Sequence, residues 1–119
     1  MSKSILTDVK KQIGGIDEMY TAFDADIIPL INSQLAELNQ LGVGPSEGFS
    51  IDSKRQTWDE FYTDPRLSFI PEYVSLGVKM IFDPPQSSYV MSTIKERRDR
   101  LEWKLRAAIE DIEIENKVI

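Results

Sequence analysis

The side chains that most often perform catalysis and bind metals in proteins are scarce in this sequence. It contains no cysteine and no histidine. This removes disulfides, thiol nucleophiles, the usual structural zinc ligands and the common general base near neutral pH. Its serines have no histidine partner with which to form a catalytic triad. The sequence therefore predicts a protein that is not an enzyme and needs no cofactor.

Two stretches have the composition of a ligand site but lack its spacing. Asp24-Ala25-Asp26 begins like a calcium-binding loop, but residues 28 and 29, where an EF-hand needs an oxygen ligand and a glycine, are isoleucine and proline. The stretch GVGPSEG, residues 42–48, is glycine-rich like a phosphate-binding loop, but no Gly-Lys-Ser/Thr follows it. We interpret the aspartates as helix-capping residues and the glycines as loop geometry, and predict no metal site.

Charge is distributed unevenly along the chain, whose net charge is −6. Residues 17–64 hold ten acidic side chains against Lys54 and Arg55, whereas residues 95–106 hold six basic side chains against three acidic ones. An acidic surface does not bind nucleic acid, because phosphate binding depends on lysine and arginine. No cysteine, leader sequence or long apolar run is present, so we expect a soluble protein made in a reducing cytoplasm.

Apolar residues recur at helical spacing along most of the chain and predict an all-α fold, a small bundle of about four to five helices. The predicted helices begin at Ser4, Asp26, Thr57, Pro65 and Ser87 or Ser88, and they end near Gly14, Leu41, Tyr62, Phe82 and Glu110. With Asp26 as N-cap, Pro29 would be the third helical residue, where no backbone hydrogen bond is lost. The helix that ends near Glu110 is the longest.

Pro84 and Pro85 separate the last two predicted helices. A PxxP ligand would need proline at residue 87 or 88, and a PPxY ligand would need tyrosine at residue 87, but both positions are serine. Proline also drives the preceding residue out of the α region. We therefore interpret the two prolines as a joint between helices and not as a ligand for a partner domain.

The glycine-rich loop after the second predicted helix contains a candidate strand. Phe49 and Ile51 alternate there with polar residues, which indicates a short strand or hairpin. A single strand cannot satisfy its own backbone hydrogen bonds.

The C-terminal end of the chain departs from helical spacing. Beyond Glu110, Ile112 and Ile114 alternate with acidic residues that oppose the helix dipole. We expect the helix to fray there, which divides the chain into a helical domain, residues 1–110, and an extended tail, residues 111–119. This tail either stays free or docks on another chain, for example as an added strand.

The basic run KERRDRLEWKLR, residues 95–106, leaves three interpretations open. Glu96 and Arg100, like Glu102 and Arg106, have the i, i+4 spacing of ion pairs, which favours a solvated, self-paired helix face. The same run also suits contact with an acidic neighbouring subunit or with DNA.

Trp103 does not lie on the apolar stripe of this helix. It is about 200° around the helix from Leu101, which indicates either an interface or a second packed neighbour within the monomer. Together with the unpartnered loop and tail, it suggests surfaces for other subunits. The predicted interface residues are Phe49, Ile51, Trp58, Trp103, Ile112, Ile114, Val118 and Ile119.

Several stretches, taken in order, resemble one family, the small head-to-tail connector or adaptor proteins of long-tailed bacteriophages. They are ILTDVKKQIGG, FDADIIPLINSQLAELNQLGVGP, GFSI, TWDEFY, KMIFDPPQSSYV and LEWKL before an acidic tail. The resemblance implies a structural virion protein, made in the cytoplasm of the host bacterium, that forms a twelve-fold ring at the head-tail interface. Its implied partners are other copies of itself, the portal protein and a neck or tail completion protein. DNA would pass through the lumen without sequence-specific binding, and no membrane is involved.

Two other readings of the same residues remain open. A small acidic helical chaperone or regulator of assembly, which binds a basic partner, would explain the charge equally well. A DNA-binding protein would use residues 95–106 and would lose affinity steeply with salt.

Overall fold

Residues 3–118 fold as five α-helices joined by loops. Our computed structural model describes the backbone of residues 3–118 and the side chains of residues 3–117. The helices are α1 (Ile5–Gly14), α2 (Asp24–Gln40), α3 (Trp58–Phe61), α4 (Ile70–Phe82) and α5 (Ser88–Val118), and a 3-10 turn spans Pro65–Leu67. Within residues 3–118 there is no strand, only an isolated bridge between Ser4 and Thr57. The predicted all-α fold with a long C-terminal helix is confirmed.

Helix α4 is the central element of the bundle. It contacts α1, α2 and α5, and its residues Ile70, Val74 and Val78 are fully buried. Such burial on several sides suits the apolar sequence of this helix, IPEYVSLGVKMIF. The neighbouring helices contribute the rest of the core, which includes Ile5, Val9, Ile13, Ile27, Ile31, Leu35, Leu38, Leu101, Leu105 and Ile109.

Local capping signals set several helix ends as the sequence predicts. Ser4 accepts a hydrogen bond from the amide of Thr7 at the start of α1, and Gly15 ends that helix with a left-handed φ of 65°. Thr57 and Glu60 form a capping box at α3. Ser87 Oγ accepts from the amide of Val90 at 3.3 Å and caps α5. These ends are fixed by residues close together in sequence.

Helix α2 begins earlier than the sequence predicts. Its N-cap is Phe23 and not Asp26, and no side chain caps it. Asp24 lies in the first turn, where its carboxylate is 2.9 Å from the ammonium of Lys10 in α1. Pro29 therefore lies inside the helix, so the prediction that it costs no helical hydrogen bond is wrong. Both Ala25 and Pro29 are exposed, so water can reach the backbone there.

Helix α5 continues to Val118, and the prediction of an extended tail is wrong for the described residues. Three contacts hold its last turns to the body of the subunit. Ile112 packs partly buried against the core, and Glu115 forms an ion pair with Arg66. Glu113 lies beside Gly42, where an added Cβ atom would come 3.4 Å from the Glu113 carboxylate. The division at residues 110 and 111 stays a prediction, although α5 crosses it without a break.

The loop between α2 and α3 contains no strand at Phe49 and Ile51, so this prediction is also wrong. The side chain of Asn32 in α2 takes the place of a neighbouring strand. Its carbonyl accepts from the amide of Ile51 at 2.7 Å, and its amide donates to the Ile51 carbonyl at 3.0 Å. The backbone of Ile51 is thereby satisfied within the subunit.

Candidate functional site

The predicted interface residues fall into three groups in the structure. Ile51 and Trp58 lie in the core, and Phe49 and Ile112 are partly buried against it. By contrast, Trp103 is 74% exposed and Ile114 is 53% exposed. The side chain of Val118 and all of Ile119 lie outside the described residues. Among the described residues of this set, Trp103 and Ile114 are thus the most available to a partner.

Trp58 makes its polar contact within the subunit. Its indole N–H donates to the carboxylate of Asp8 at 2.9 Å, and both side chains are buried. This contact joins α3 to α1, and the aromatic ring of Tyr62 lies beside the indole. Trp58 therefore stabilises the subunit and presents little surface.

Two arginines of the basic run bond to neighbouring helices, Arg97 at the surface and Arg98 in a mostly buried position. Arg97 donates to both carboxylate oxygens of Glu72 in α4, at 2.7 and 2.9 Å, and these bonds lower the pKa of that carboxyl. Arg98 lies over the ring of Tyr73, 4.1 Å from its centroid, and 3.6 Å from Glu37 in α2. These arginines join α5 to the bundle, and their charge is matched by carboxylates of the same subunit.

The rest of the basic run is only partly paired. Arg106 lies 3.3 Å from Glu102, which confirms that predicted pair, whereas the predicted pair of Glu96 and Arg100 does not form. Three side chains of the run form no ion pair with any residue in 3–118, namely Lys95, Arg100 and Lys104. Exposed positive charge therefore remains on α5.

The side of α5 that points away from the core carries exposed apolar residues, and we name it the outer face. Ile114 lies about 20°, and Ala107 and Tyr89 about 40°, around the helix from Trp103. All four are exposed, Tyr89 at 80%. The buried residues Leu101 and Leu105 lie roughly 160° away in either direction. The outer face, Tyr89, Trp103, Ala107 and Ile114, is therefore opposite the packed face.

A second exposed apolar surface lies at the loop between α1 and α2. The ring centroid of Phe23 is 5.5 Å from that of Tyr20 and 5.4 Å from that of Phe82 at the end of α4, both in edge-on contact. Met19 beside them is 78% exposed. We name Met19, Tyr20, Phe23 and Phe82 the aromatic patch. Sequence reasoning missed it, although three large apolar residues outside any helical stripe were a signal.

A buried lysine holds the loop that carries this patch. Lys10 is 1% exposed, and its ammonium donates to the carbonyls of Glu18 at 3.3 Å and Tyr20 at 2.8 Å. It also forms the ionic contact with Asp24 already described. Burying a charge is costly unless it is paired and hydrogen-bonded, and Lys10 meets both conditions.

The acidic pair, Asp24 and Asp26, lies in the first turn of α2. Asp24 is engaged by Lys10, and across residues 3–118 no three potential metal-ligating side chains come together. In that same part of the chain, no helix combines the length and the hydrophobicity needed to cross a bilayer.

The glycines of the glycine-rich loop serve its turns. Gly42, Gly44 and Gly48 have positive φ, a backbone conformation that glycine adopts without strain.

Comparisons with known proteins agree with a structural role. A family model described as phage connector protein matches residues 5–111, which include α1 to α4 and most of α5. No curated protein and no solved structure matches the chain. Because the match spans nearly the whole sequence, the chain belongs to the phage connector protein family and is a structural component of a phage virion.

Proposed function

We propose that this protein forms a ring of twelve copies, which joins the portal of the phage head to the neck or tail and extends the DNA channel. Membership of the phage connector protein family is the observation that carries the proposal. The exposed outer face of α5 supports it, because large apolar groups on a charged helix are typical of a protein interface. The partners in this proposal are further copies, the portal protein and a neck or tail completion protein.

In this proposal, the acidic part of the chain lines the lumen and repels the phosphates of passing DNA. Four of the ten acidic side chains in residues 17–64 are ion-paired in the subunit, with Lys10, Arg98, Arg55 and Arg66. Asp17, Glu18, Asp26, Glu47 and Glu60 form no ion pair with residues in 3–118. Their charge is therefore available to repel DNA, which would pass without sequence-specific binding.

A density map of intact particles tests the proposal. We expect copies of the chain to encircle the exit channel next to the portal. Particles without the chain would contradict the connector role and would favour an assembly chaperone, which leaves the finished particle. If the map placed the acidic residues on the outer wall of the ring, the proposal that their charge repels DNA would be wrong, but the proposed ring would not be contradicted.

Binding to isolated portal rings gives a second, independent test. Purified protein should add to portal rings and remain bound as a second ring when the product is imaged. A chain that binds unassembled portal subunits but not the finished ring would instead act as a chaperone. A monomer in the absence of portal is compatible with the proposal, because a portal ring can supply the template.

A further inference from the structure

A groove of about 740 Å³ lies between α1, α3 and α4, and we name it the α1–α4 groove. Its apolar walls are formed by Trp58, Tyr62, Phe69 and Leu76, which are buried or half-buried in the subunit. Volumes of this size are typical of sites that enclose a ligand or a large side chain. The groove is therefore a candidate site for part of another molecule.

The charged groups inside the α1–α4 groove already have partners. The carboxylates of Asp8 and Glu72 accept hydrogen bonds from side chains of the same subunit, and the ammonium of Lys79 donates to a carbonyl of α1 at 3.1 Å. The other two charged side chains of the lining, Lys3 and Asp59, are exposed and opposite in sign. An ionised side chain entering the interior would lose its hydration without gaining an unpaired partner there. The groove thus favours a neutral occupant.

The hydroxyl of Ser75 is the exception in this lining. Ser75 lines the groove and is only 6% exposed, and its Oγ is buried without a hydrogen bond to any residue in 3–118. A buried hydroxyl without a partner destabilises a protein, and nearly all such groups in native structures have one. An occupant with an apolar body and a polar tip would supply the missing partner.

Tyr89 has this combination and is free to leave its own subunit. Three exposed large side chains in residues 3–118 join an aromatic ring to a polar atom, namely Tyr20, Tyr89 and Trp103. The ring of Tyr20 already packs against Phe23, and charged residues surround Trp103 on the outer face. Tyr89 is 80% exposed and lies in residues 84–94, none of which is charged. Among these three side chains, Tyr89 best matches a neutral groove.

We infer that Tyr89 of one copy inserts into the α1–α4 groove of the next copy and that its hydroxyl bonds to Ser75 Oγ. This inference rests on the proposed ring, for which it names the two contacting parts. Both hydroxyls can donate and accept, so either direction of the bond satisfies Ser75. The ring of Tyr89 gains apolar contacts with the aromatic walls, which provide the rest of the binding free energy.

The contact is heterologous, because the tyrosine and the groove are different surfaces of each copy. Heterologous contacts generate a closed ring when the rotation between copies closes, as the proposed function requires. In the free subunit Ser75 has no partner among the described residues, so its bond forms only on assembly. Loss of the Ser75 hydroxyl should therefore weaken assembly without weakening the subunit.

A double-mutant cycle tests the contact. Tyr89→Phe and Ser75→Ala each remove one of the two hydroxyls. Each should raise the concentration of chain needed for half-maximal addition to portal rings by about 2–10-fold, the usual effect of one lost hydrogen bond. The double variant should need no higher concentration than either single variant, because the first substitution has already removed the bond. Ser75→Ala should resist urea at least as well as the natural chain.

Tyr20→Phe is the matched control, because it removes the hydroxyl of an exposed tyrosine outside the proposed contact and should leave addition unchanged. Unchanged addition by Tyr89→Phe or by Ser75→Ala would overturn the inference. Effects that multiply in the double variant would also overturn it, since the two hydroxyls would then act independently. Failure of the natural chain to add to portal rings would instead overturn the proposed function itself.

Cross-linking identifies the partner, because the natural chain has no cysteine that would interfere. Gln12→Cys places a thiol at the groove, and Ser92→Cys places one on α5 three residues after Tyr89; both positions are exposed. Rings assembled on the portal from each single variant, from the double variant and from an equal mixture of the single variants are treated with a short bismaleimide. Denaturing gels then show the covalent products.

We expect a ladder of oligomers from the double variant, only monomers from either single variant, and nothing larger than dimers from the mixture. Dimers from Ser92→Cys alone would overturn the inference in favour of a symmetric contact between α5 helices. Products that contain the portal protein would overturn it in favour of that partner. Rings that contain the chain but give no product would contradict it as well.

Discussion

At the scale of single residues, polar groups buried in the core stabilise the subunit only through their partners. Asp8 and Lys10 are successive polar positions of α1 that are almost fully buried, and each has its own partner, the indole of Trp58 and the loop carbonyls. Loss of one partner leaves the other group without a hydrogen bond in the protein interior. Such a loss costs more than the bond itself contributes.

Trp58→Phe should therefore lower the free energy of unfolding by about 1–3 kcal/mol, because the carboxylate of Asp8 loses its buried donor. Urea denaturation measures this change. The control is Trp103→Phe, the same substitution at an exposed tryptophan, which should change stability by no more than about 0.5 kcal/mol. Equal effects of the two substitutions would contradict the role given to the Trp58–Asp8 bond.

Tyr73 should give the subunit a defined loss of stability at high pH. Burial, with a smaller contribution from its bond to Glu102, raises the pKa of Tyr73 from 10.0 to about 12. Below pH 10 the phenol is protonated in both the folded and unfolded states. Between pH 10 and 12 the unfolded chain releases the proton while the folded chain keeps it, so the free energy of unfolding falls as pH rises.

The measurement compares the natural chain with Tyr73→Phe by urea denaturation at several pH values. Other groups that titrate in this window contribute to both proteins and cancel in the difference. We expect the natural chain to lose stability more steeply than the variant between pH 10 and 12. Parallel curves would show that the phenol of Tyr73 ionises equally in both states.

At the scale of elements, close approach of helices decides which glycines are needed. Gly77 in α4 lies against the buried side chain of Gln34 in α2, and a Cβ at residue 77 would come 2.4 Å from its amide oxygen. Gln34 in turn accepts a hydrogen bond from Arg98 of α5. A side chain at residue 77 would therefore displace the Gln34 amide from its bond to Arg98, where three helices meet.

Alanine at two helical glycines should change stability in opposite directions. Gly77→Ala should lower the free energy of unfolding by about 1–2 kcal/mol, because overpacking outweighs the better helix propensity of alanine. Gly14→Ala is the matched control, since nothing lies within 4 Å of a Cβ at residue 14. It should raise the free energy of unfolding by about 0.5–1 kcal/mol. Stabilisation by both Gly77→Ala and Gly14→Ala would contradict this account.

At the scale of the whole molecule, the end of α5 is held to its own subunit and also exposes Ile114. Deletion of residues 113–119 removes Ile114 and the ion pair between Glu115 and Arg66 but keeps the buried residues of α5. We therefore expect the truncated chain to stay folded and helical, as judged by circular dichroism, but to lose assembly with portal rings. Glu115→Gln at full length is the control, which weakens only the ion pair. Normal assembly of the truncated chain would show that this end is not an interface.

Signals close together in sequence allowed most of the fold to be predicted, whereas contacts between distant residues escaped prediction. Ser4 and the Thr57–Glu60 box cap helices within one turn, so their neighbours alone reveal them. The last turns of α5 contact Arg66 and Gly42, and the backbone of Ile51 bonds to the side chain of Asn32. None of these contacts can be read from local pattern.

The candidate site was predicted only in part for the same reason. Trp103 stood out because its angular position on a helix is fixed by spacing alone. The aromatic patch arises where a loop meets the end of α4, and the contact of Phe23 with Phe82 joins residues far apart in sequence. Burial of Ile51 and Trp58 likewise depends on packing of several elements, which the periodicity of a short segment does not reveal.

The length of α5 has a mechanical consequence. Its 31 residues give an unbroken rod of about 46 Å, nearly equal to the longest dimension of the described chain, 47 Å. A continuous hydrogen-bonded helix resists axial compression. A force applied at one end of α5 therefore displaces or tilts the whole helix. Helical hydrogen bonding is interrupted before this rod, at Pro84 and Pro85, whose rings fix their own φ. The subunit thus contains one stiff element that spans nearly its whole length.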